Sequence, residues 1–170
     1  MKTLYLLRHA KSSWDDEALD DFDRPLDQRG VDAAPRVAAF MKKEGWIPDT
    51  ILCSAARRAR ETMELVAPVL GVDDAPGIER ELYMAEPETM LERLRTLPDS
   101  SRSVLMIGHN PSHELLAKML AGDGKKKALK RLRKKYPTGA LAVLTFATER
   151  WAEITEGNGF LEAFVRPKDV

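Results

Sequence analysis

The feature that most constrains this chain is a set of apolar runs too short to be helices, alternating with stretches of helical period. Val104-Leu105-Met106-Ile107 is the clearest, and residues 3–7 and 50–53 read the same way. Continuous apolar runs of this length suit strands buried on both faces of a sheet. Between them, Ala34, Val37, Ala38 and Met41 predict a helix over residues 33–44, stopped by Gly45. Pro35 is then acceptable only in that helix's first turn. Ala59, Met63, Val66 and Leu70 predict a second helix over 56–70, which Pro68 should kink or end. A third strand is expected near Ile78–Leu82, and Pro87 opens a helix carrying Met90, Leu91, Leu94 and Leu97. Asn110-Pro111 reads as the cap and first position of a helix presenting Leu115, Leu116, Met119 and Leu120. A basic helix follows, then a strand at Leu141–Phe146 with Trp151–Thr155 as its hairpin partner. Strands alternating with helices predict one α/β domain over residues 1–170. Its architecture is three α/β/α layers around a mostly parallel sheet of about six strands, one of them antiparallel.

Composition narrows the function classes. With 27 Lys and Arg against 27 Asp and Glu, the formal net charge is zero, which weighs against a nucleic-acid-coating role. A single cysteine, Cys53, excludes an intrachain disulfide and a thiolate zinc cluster. Apolar runs of a few residues fall far short of a membrane span, and Arg8 arrives too early for a signal-peptide core. A soluble cytoplasmic protein is therefore expected. The charge is nonetheless uneven. Residues 122–135 carry eight basic side chains against Asp123 alone, and Asp15, Asp16, Glu17, Asp20, Asp21 and Asp23 form an acidic cluster. Such blocks are commonly solvated faces, and a basic rim can also steer an anionic or acidic partner.

Polar groups collect at the strand ends. The first strand ends in Arg8-His9, the second in Cys53-Ser54 ahead of Arg57 and Arg58, and the fourth in Gly108-His109-Asn110. In an open α/β sheet the ligand crevice lies outside the carboxyl ends of the strands. Two histidines and two or three arginines are thereby expected on one edge, and arginine forks and helix N-termini favour phosphate. A second histidine beside guanidiniums points to an imidazole that attacks phosphorus, which requires it neutral with its other nitrogen held by a hydrogen bond. Arg24 and Arg29 read as surface residues, His113 as a surface or supporting residue and Cys53 as a small core residue. Glu114 directly after His113 breaks the zinc-protease pattern.

At these positions the chain resembles the histidine phosphatase superfamily, the phosphoglycerate mutase-like proteins. Leu7-Arg8-His9-Ala10 resembles its Arg-His-Gly signature, with Ala10 in place of the usual glycine. Arg24-Pro25-Leu26 with Gly30, the segment from Ser54 through Arg58-Ala59 to Thr62, and Ile107-Gly108-His109-Asn110 resemble three further family motifs in the family's order. The short length, the opening through Trp14 and residues 136–140 resemble the SixA-type phosphohistidine phosphatase branch. The resemblance implies His9 as the phosphorylated nucleophile and Arg8, Arg58 and His109 as holders of the phosphoryl oxygens. Ser12, Asp15 and Asn110 are the further positions assigned to substrate contact. The general acid is the weakest match. Glu81 is the nearest candidate, with Asp15 second, and no glycine-rich segment surrounds Glu81. An imidazole leaves phosphorus more easily than an alkoxide, so a site without a firm acid suits phosphohistidine in a protein. A small-molecule phosphomonoesterase using Glu81 is the alternative, and a non-catalytic phosphoprotein-binding module is a third reading. Neither a metal nor another cofactor is expected, because arginines and helix N-termini can stabilise the charge.

Overall fold

The computed structural model describes residues 1–72 and 77–170. Its strands are β1 (Lys2–Arg8), β2 (Thr50–Ser54), β3 (Gly77–Glu79), β4 (Ser103–Gly108), β5 (Ala121–Gly124), β6 (Leu141–Phe146) and β7 (Gly159–Val165). The helices are α1 (Gln28–Lys43), α2 (Arg57–Leu70), α3 (Pro87–Arg95), α4 (Ser112–Leu120) and α5 (Lys126–Lys134). The strands form one sheet in the order β3-β2-β4-β1-β6-β7-β5. Among the described strands β6 alone runs against the others, pairing antiparallel with both β1 and β7. The sheet thus has seven strands, one more than the sequence implies.

The central strands are apolar throughout because both their faces are covered. Leu4, Leu6, Val104 and Met106 join one core with Leu94 of α3, Leu116 of α4 and Leu132 of α5. Tyr5, Leu7, Leu105 and Ile107 join a second core with Val37 and Met41 of α1 and Met63 and Val66 of α2. The alternation along β1 and β4 therefore separates two helical layers and fixes the register of their parallel pairing, Leu4 to Val104 through Arg8 to Gly108.

Several sequence expectations move. Helix α1 starts at Gln28 rather than 33, because the Asp27 side chain accepts a 3.0 Å hydrogen bond from the Gly30 amide and caps it. Pro35 consequently lies inside that helix. Gly30 is required there: a Cβ would lie 2.2 Å from the Lys11 carbonyl oxygen, where the first loop crosses the helix. Pro68 does not end α2, which runs to Leu70 and is closed by Gly71 at φ 70°. The third strand covers only Gly77–Glu79, and residues 80–82 turn into a 3₁₀ helix. Helix α4 begins at Ser112, after Pro111, with the Asn110 side-chain oxygen accepting from the Glu114 amide at 3.3 Å. The partner of β6 is Gly159–Val165, not Trp151–Thr155. Trp151 and Ile154, both fully buried, pack from a 3₁₀ turn, and the Trp151 indole donates to the Ser101 carbonyl at 2.6 Å.

Gly108 closes β4 against a fully buried His113, and a Cβ on it would lie 2.6 Å from the imidazole Cε1. Gly108→Ala is expected to cost about 2 kcal/mol, as overpacked cores do, read as a lowered urea midpoint with unchanged slope. An unchanged midpoint would contradict this packing.

Candidate active site

Strands β2, β4 and β1 are neighbours in the sheet, so their carboxyl ends meet. Around them lies a cleft of about 180 Å³ lined by Arg8, His9, Ser12, Arg58, His109 and Asn110, with Lys11, Trp14, Arg24 and Thr138 completing the wall. The strand-end residues from three separate motifs are thus in one place.

His9 is buried, and its Nδ1 lies 2.7 Å from the carbonyl oxygen of Ala10. A carbonyl only accepts, so Nδ1 carries the proton and Nε2 keeps its lone pair. Nε2 faces the cleft arginine: Arg58 Nε donates to it at 3.3 Å. Burial, reinforced by the charges of Arg58 and Arg8, pushes the His9 pKa down to about 3, against the opposing pull of the Ala10 carbonyl. The Ala10 amide donates to Thr62 Oγ1 at 3.0 Å, and Thr62 in turn donates to the Arg58 carbonyl at 2.8 Å. The threonine that closes the second motif therefore ties His9's neighbour to the helix that carries Arg58. Ala10 itself is buried in the α1/α2 core.

His109 lies beside His9, with ring centroids 5.2 Å apart and planes tilted by 54°. Its Nε2 is 2.7 Å from Ser54 Oγ, so the serine at the end of β2 orients the histidine at the end of β4. Burial, then the proximity of His9 and Arg58, brings its pKa down to about 2. His113 does not reach the cleft. It is fully buried, with Nε2 3.1 Å from the Met106 carbonyl, and burial takes its pKa down to about 4. Arg8 donates from Nη1 to the Tyr136 carbonyl at 2.8 Å, and Asn110 Nδ2 donates to the same oxygen at 3.2 Å.

The acidic cluster supplies one residue that sequence reasoning missed. Asp21, on a 3₁₀ turn at Asp21–Asp23, takes both outer nitrogens of Arg58: Nη1 donates to its carbonyl oxygen at 2.6 Å and Nη2 to Oδ2 at 3.0 Å. The same carboxylate accepts from Arg24 Nη1 at 2.8 Å and from the Tyr83 hydroxyl at 2.6 Å. Desolvation works to raise the Asp21 pKa, but the hydrogen bonds from Tyr83, Arg24 and Arg58 outweigh it and hold the carboxyl well below the usual carboxylate range. Arg24 is buried, contrary to its surface reading. It also donates to Ser12 Oγ and to the Ser13 carbonyl, and its guanidinium lies 3.3 Å from the centroid of the exposed Trp14 indole. The signal available in sequence was its motif position beside Pro25, since an exposed arginine needs no fixed neighbours.

Other candidates lie outside the cleft. Asp15 is exposed on the first loop, and Glu81 is exposed on the 3₁₀ turn after β3; neither is on the cleft wall. The segment after β3 instead delivers Tyr83, whose ring meets His109 edge to face at 5.5 Å. Arg57 pairs with Glu61 at 3.1 Å, and Arg29 is exposed. Burial pushes the Cys53 thiol up to about 12, so it offers no thiolate. No three His, Cys, Asp or Glu side chains cluster to hold a metal among the described residues, and no described helix is long and apolar enough to cross a membrane. What the wall does offer is three guanidiniums and a lysine around a neutral imidazole, a setting for a phosphoryl anion.

Comparison with known proteins agrees with this chemistry. The profile of the histidine phosphatase superfamily (branch 1) matches residues 4–83. An uncharacterised protein of Mycobacterium tuberculosis is 34% identical over 95% of this chain and 100% of its own length. The structure of a protein designated phosphohistidine phosphatase SixA from Agrobacterium tumefaciens is 30% identical, with a TM-score of 0.79, covering 98% of each chain. Its counterpart from Nakamurella multipartitia is 26% identical with a TM-score of 0.83, covering 98% of this chain and 96% of that one.

Two outcomes follow from the geometry. Asp21→Asn removes the charge that orients Arg58 and Arg24 and should lower kcat/KM on p-nitrophenyl phosphate about tenfold, the scale of one charge-assisted hydrogen bond. Unchanged kinetics would contradict the network. Because the three histidines have folded pKa values of about 3, 2 and 4 against 6.5, the unfolded chain binds protons that the folded chain refuses once pH falls below 6.5. The stability these histidines contribute should be complete above that pH and be lost progressively as the pH falls from 6.5 toward their lowered folded values. Urea unfolding at pH 7, 6 and 5 measures the slope, and a flat profile would contradict the buried neutral imidazoles.

Proposed function

The chain belongs to the histidine phosphatase superfamily, in its SixA-type branch, and is a phosphatase; on that premise we propose that it dephosphorylates phosphohistidine in a protein through a covalent intermediate on His9. The observation that carries the reading is the Nδ1–Ala10 contact, which leaves the Nε2 lone pair facing the arginine-lined cleft.

In the first step His9 Nε2 attacks phosphorus. The P–N bond to the substrate imidazole breaks as the new P–N bond forms, and the substrate ring, protonated on its other nitrogen, leaves neutral. Arg8, Arg58 and His109 hold the equatorial oxygens, with Ser12 and Asn110 lining the approach. In the second step water attacks phospho-His9, the P–N bond to His9 breaks, inorganic phosphate departs and the imidazole returns to its neutral form. The Nδ1–H bond to Ala10 persists through both steps, stabilising the positive charge that the ring acquires when phosphorylated.

The choice of leaving group rests on protons. An alkoxide needs one delivered in the transition state. The described residues of the cleft wall include no carboxyl group, and the nearby Asp21 is held ionised by Tyr83, Arg24 and Arg58. An imidazole carries its own proton out, so phosphohistidine fits the wall better than a sugar phosphate or phosphoglycerate.

Turnover of a phosphohistidine peptide should exceed that of 3-phosphoglycerate by at least about a hundredfold in kcat/KM, the lower end of what a general acid contributes. His9→Ala should abolish both while inorganic phosphate still binds. Preference for phosphoglycerate would contradict the substrate assignment, and activity surviving in His9→Ala would contradict the nucleophile.

A further inference from the structure

Thr138 lines the active-site cleft and also two larger grooves beside it, of about 360 and 500 Å³ against about 180 Å³ for the cleft itself. The first groove is walled by Arg131, Lys134, Lys135, Arg166 and Lys168. The second shares Lys168 and adds Lys11, Arg29 and Arg36, with Asp32 as its one acid. The sequence's basic block therefore does not face away from the chemistry; its C-terminal half borders it.

The support is rigid. Helix α5 is anchored by buried Ala128 and Leu132, and Arg131 Nη1 donates to the Phe164 carbonyl of β7 at 3.0 Å. Arg131 and Arg166 are already partnered by Asp169, at 3.2 and 2.8 Å. Lys134, Lys135 and Lys168 are exposed and form no ion pair among the described residues. Three unneutralised ammonium groups thus lie along a groove that shares Thr138 with the active-site cleft.

We propose that this basic groove, running from Thr138 past Lys134, Lys135 and Lys168, docks an acidic segment flanking the phosphorylated residue of a protein substrate. The inference rests on the phosphohistidine reading above and adds which proteins are taken. The cleft has room for little beyond a phosphoryl group and its ring, so the bulk of a substrate must lie along its surroundings, and these select carboxylates. The walls of both grooves carry no aromatic ring on which bases could stack, which favours a polypeptide over a nucleic acid.

The test uses the full chain and a Lys134→Ser, Lys135→Ser, Lys168→Ser triple variant. Two phosphohistidine peptides are compared, one flanked by four glutamates on each side and one by serines. Wild type should prefer the acidic peptide about tenfold in kcat/KM, the preference should vanish in the variant and in 0.5 M salt, and p-nitrophenyl phosphate turnover should stay within twofold. Absence of a preference, or its survival in the variant, would overturn the proposal. If p-nitrophenyl phosphate is hydrolysed but neither peptide is, the phosphohistidine reading fails separately. The groove is then read from inhibition of that hydrolysis by the unphosphorylated glutamate peptide, whose Ki should rise about tenfold in the variant and whose constancy would overturn docking. Stronger inhibition by a single-stranded oligonucleotide of equal charge would overturn the assignment to polypeptide.

Discussion

Everything at the cleft depends on the contact between His9 Nδ1 and the carbonyl oxygen of its own neighbour, Ala10. It is local in sequence, yet other parts of the fold must cooperate to make it. The His9 amide is held by the Gly108 carbonyl of β4, and the Ala10 amide by Thr62 of α2. These bonds hold the peptide between His9 and Ala10, and the imidazole turns to meet the carbonyl that follows it. The consequence is chemical: one nitrogen becomes an obligatory donor, and the other keeps the lone pair that the proposed attack on phosphorus requires. Burial then keeps the ring neutral without any acid–base partner in the protein.

The electrostatic arrangement is asymmetric for a reason. Arg8, Arg24 and Arg58 all reach the cleft, and among the described residues only Asp21 forms an ion pair with any of them. A carboxylate placed on the wall would cancel the field that an incoming phosphoryl group needs. Asp21 instead stands behind, binding the outer nitrogens of Arg58 and leaving its Nε toward His9. The same position keeps Asp21 ionised, which removes it as a proton donor and accords with the proposed phosphohistidine substrate. The folded chain therefore carries three imidazoles that resist protonation, a standing cost in stability below neutral pH that keeps the proposed nucleophile neutral.

Much of this was legible in the residues. The apolar runs identified β1, β2, β4 and β6, and the polar groups after three of them assembled as expected, because strand ends in a parallel sheet share one edge. What escaped had no local signature. β5, Ala-Gly-Asp-Gly, has no apolar alternation and exists only because β7 offers a free edge. Trp151–Thr155 reads as a hairpin strand in sequence, but Trp151 and Ile154 are two core anchors three residues apart, the spacing of a single helical turn. Asp21 was lost within an acidic cluster, since only the fold tells the one carboxylate that meets Arg58 from its solvated neighbours. Glu81 drew attention by sequence position, whereas the 3₁₀ turn after β3 leaves it exposed and brings Tyr83 toward His109.

The central claim concerns one proton on one ring, and ¹⁵N NMR of the free enzyme with labelled histidine observes it directly. At pH 7 the His9 Nδ1 signal should be that of a protonated, pyrrole-like nitrogen and the Nε2 signal that of an unprotonated one. Neither should titrate as the pH is lowered from 7.5 toward 5.5, while the chain remains folded. A His9 ring that protonates with a midpoint near 6.5, or that carries its neutral proton on Nε2, would contradict the account.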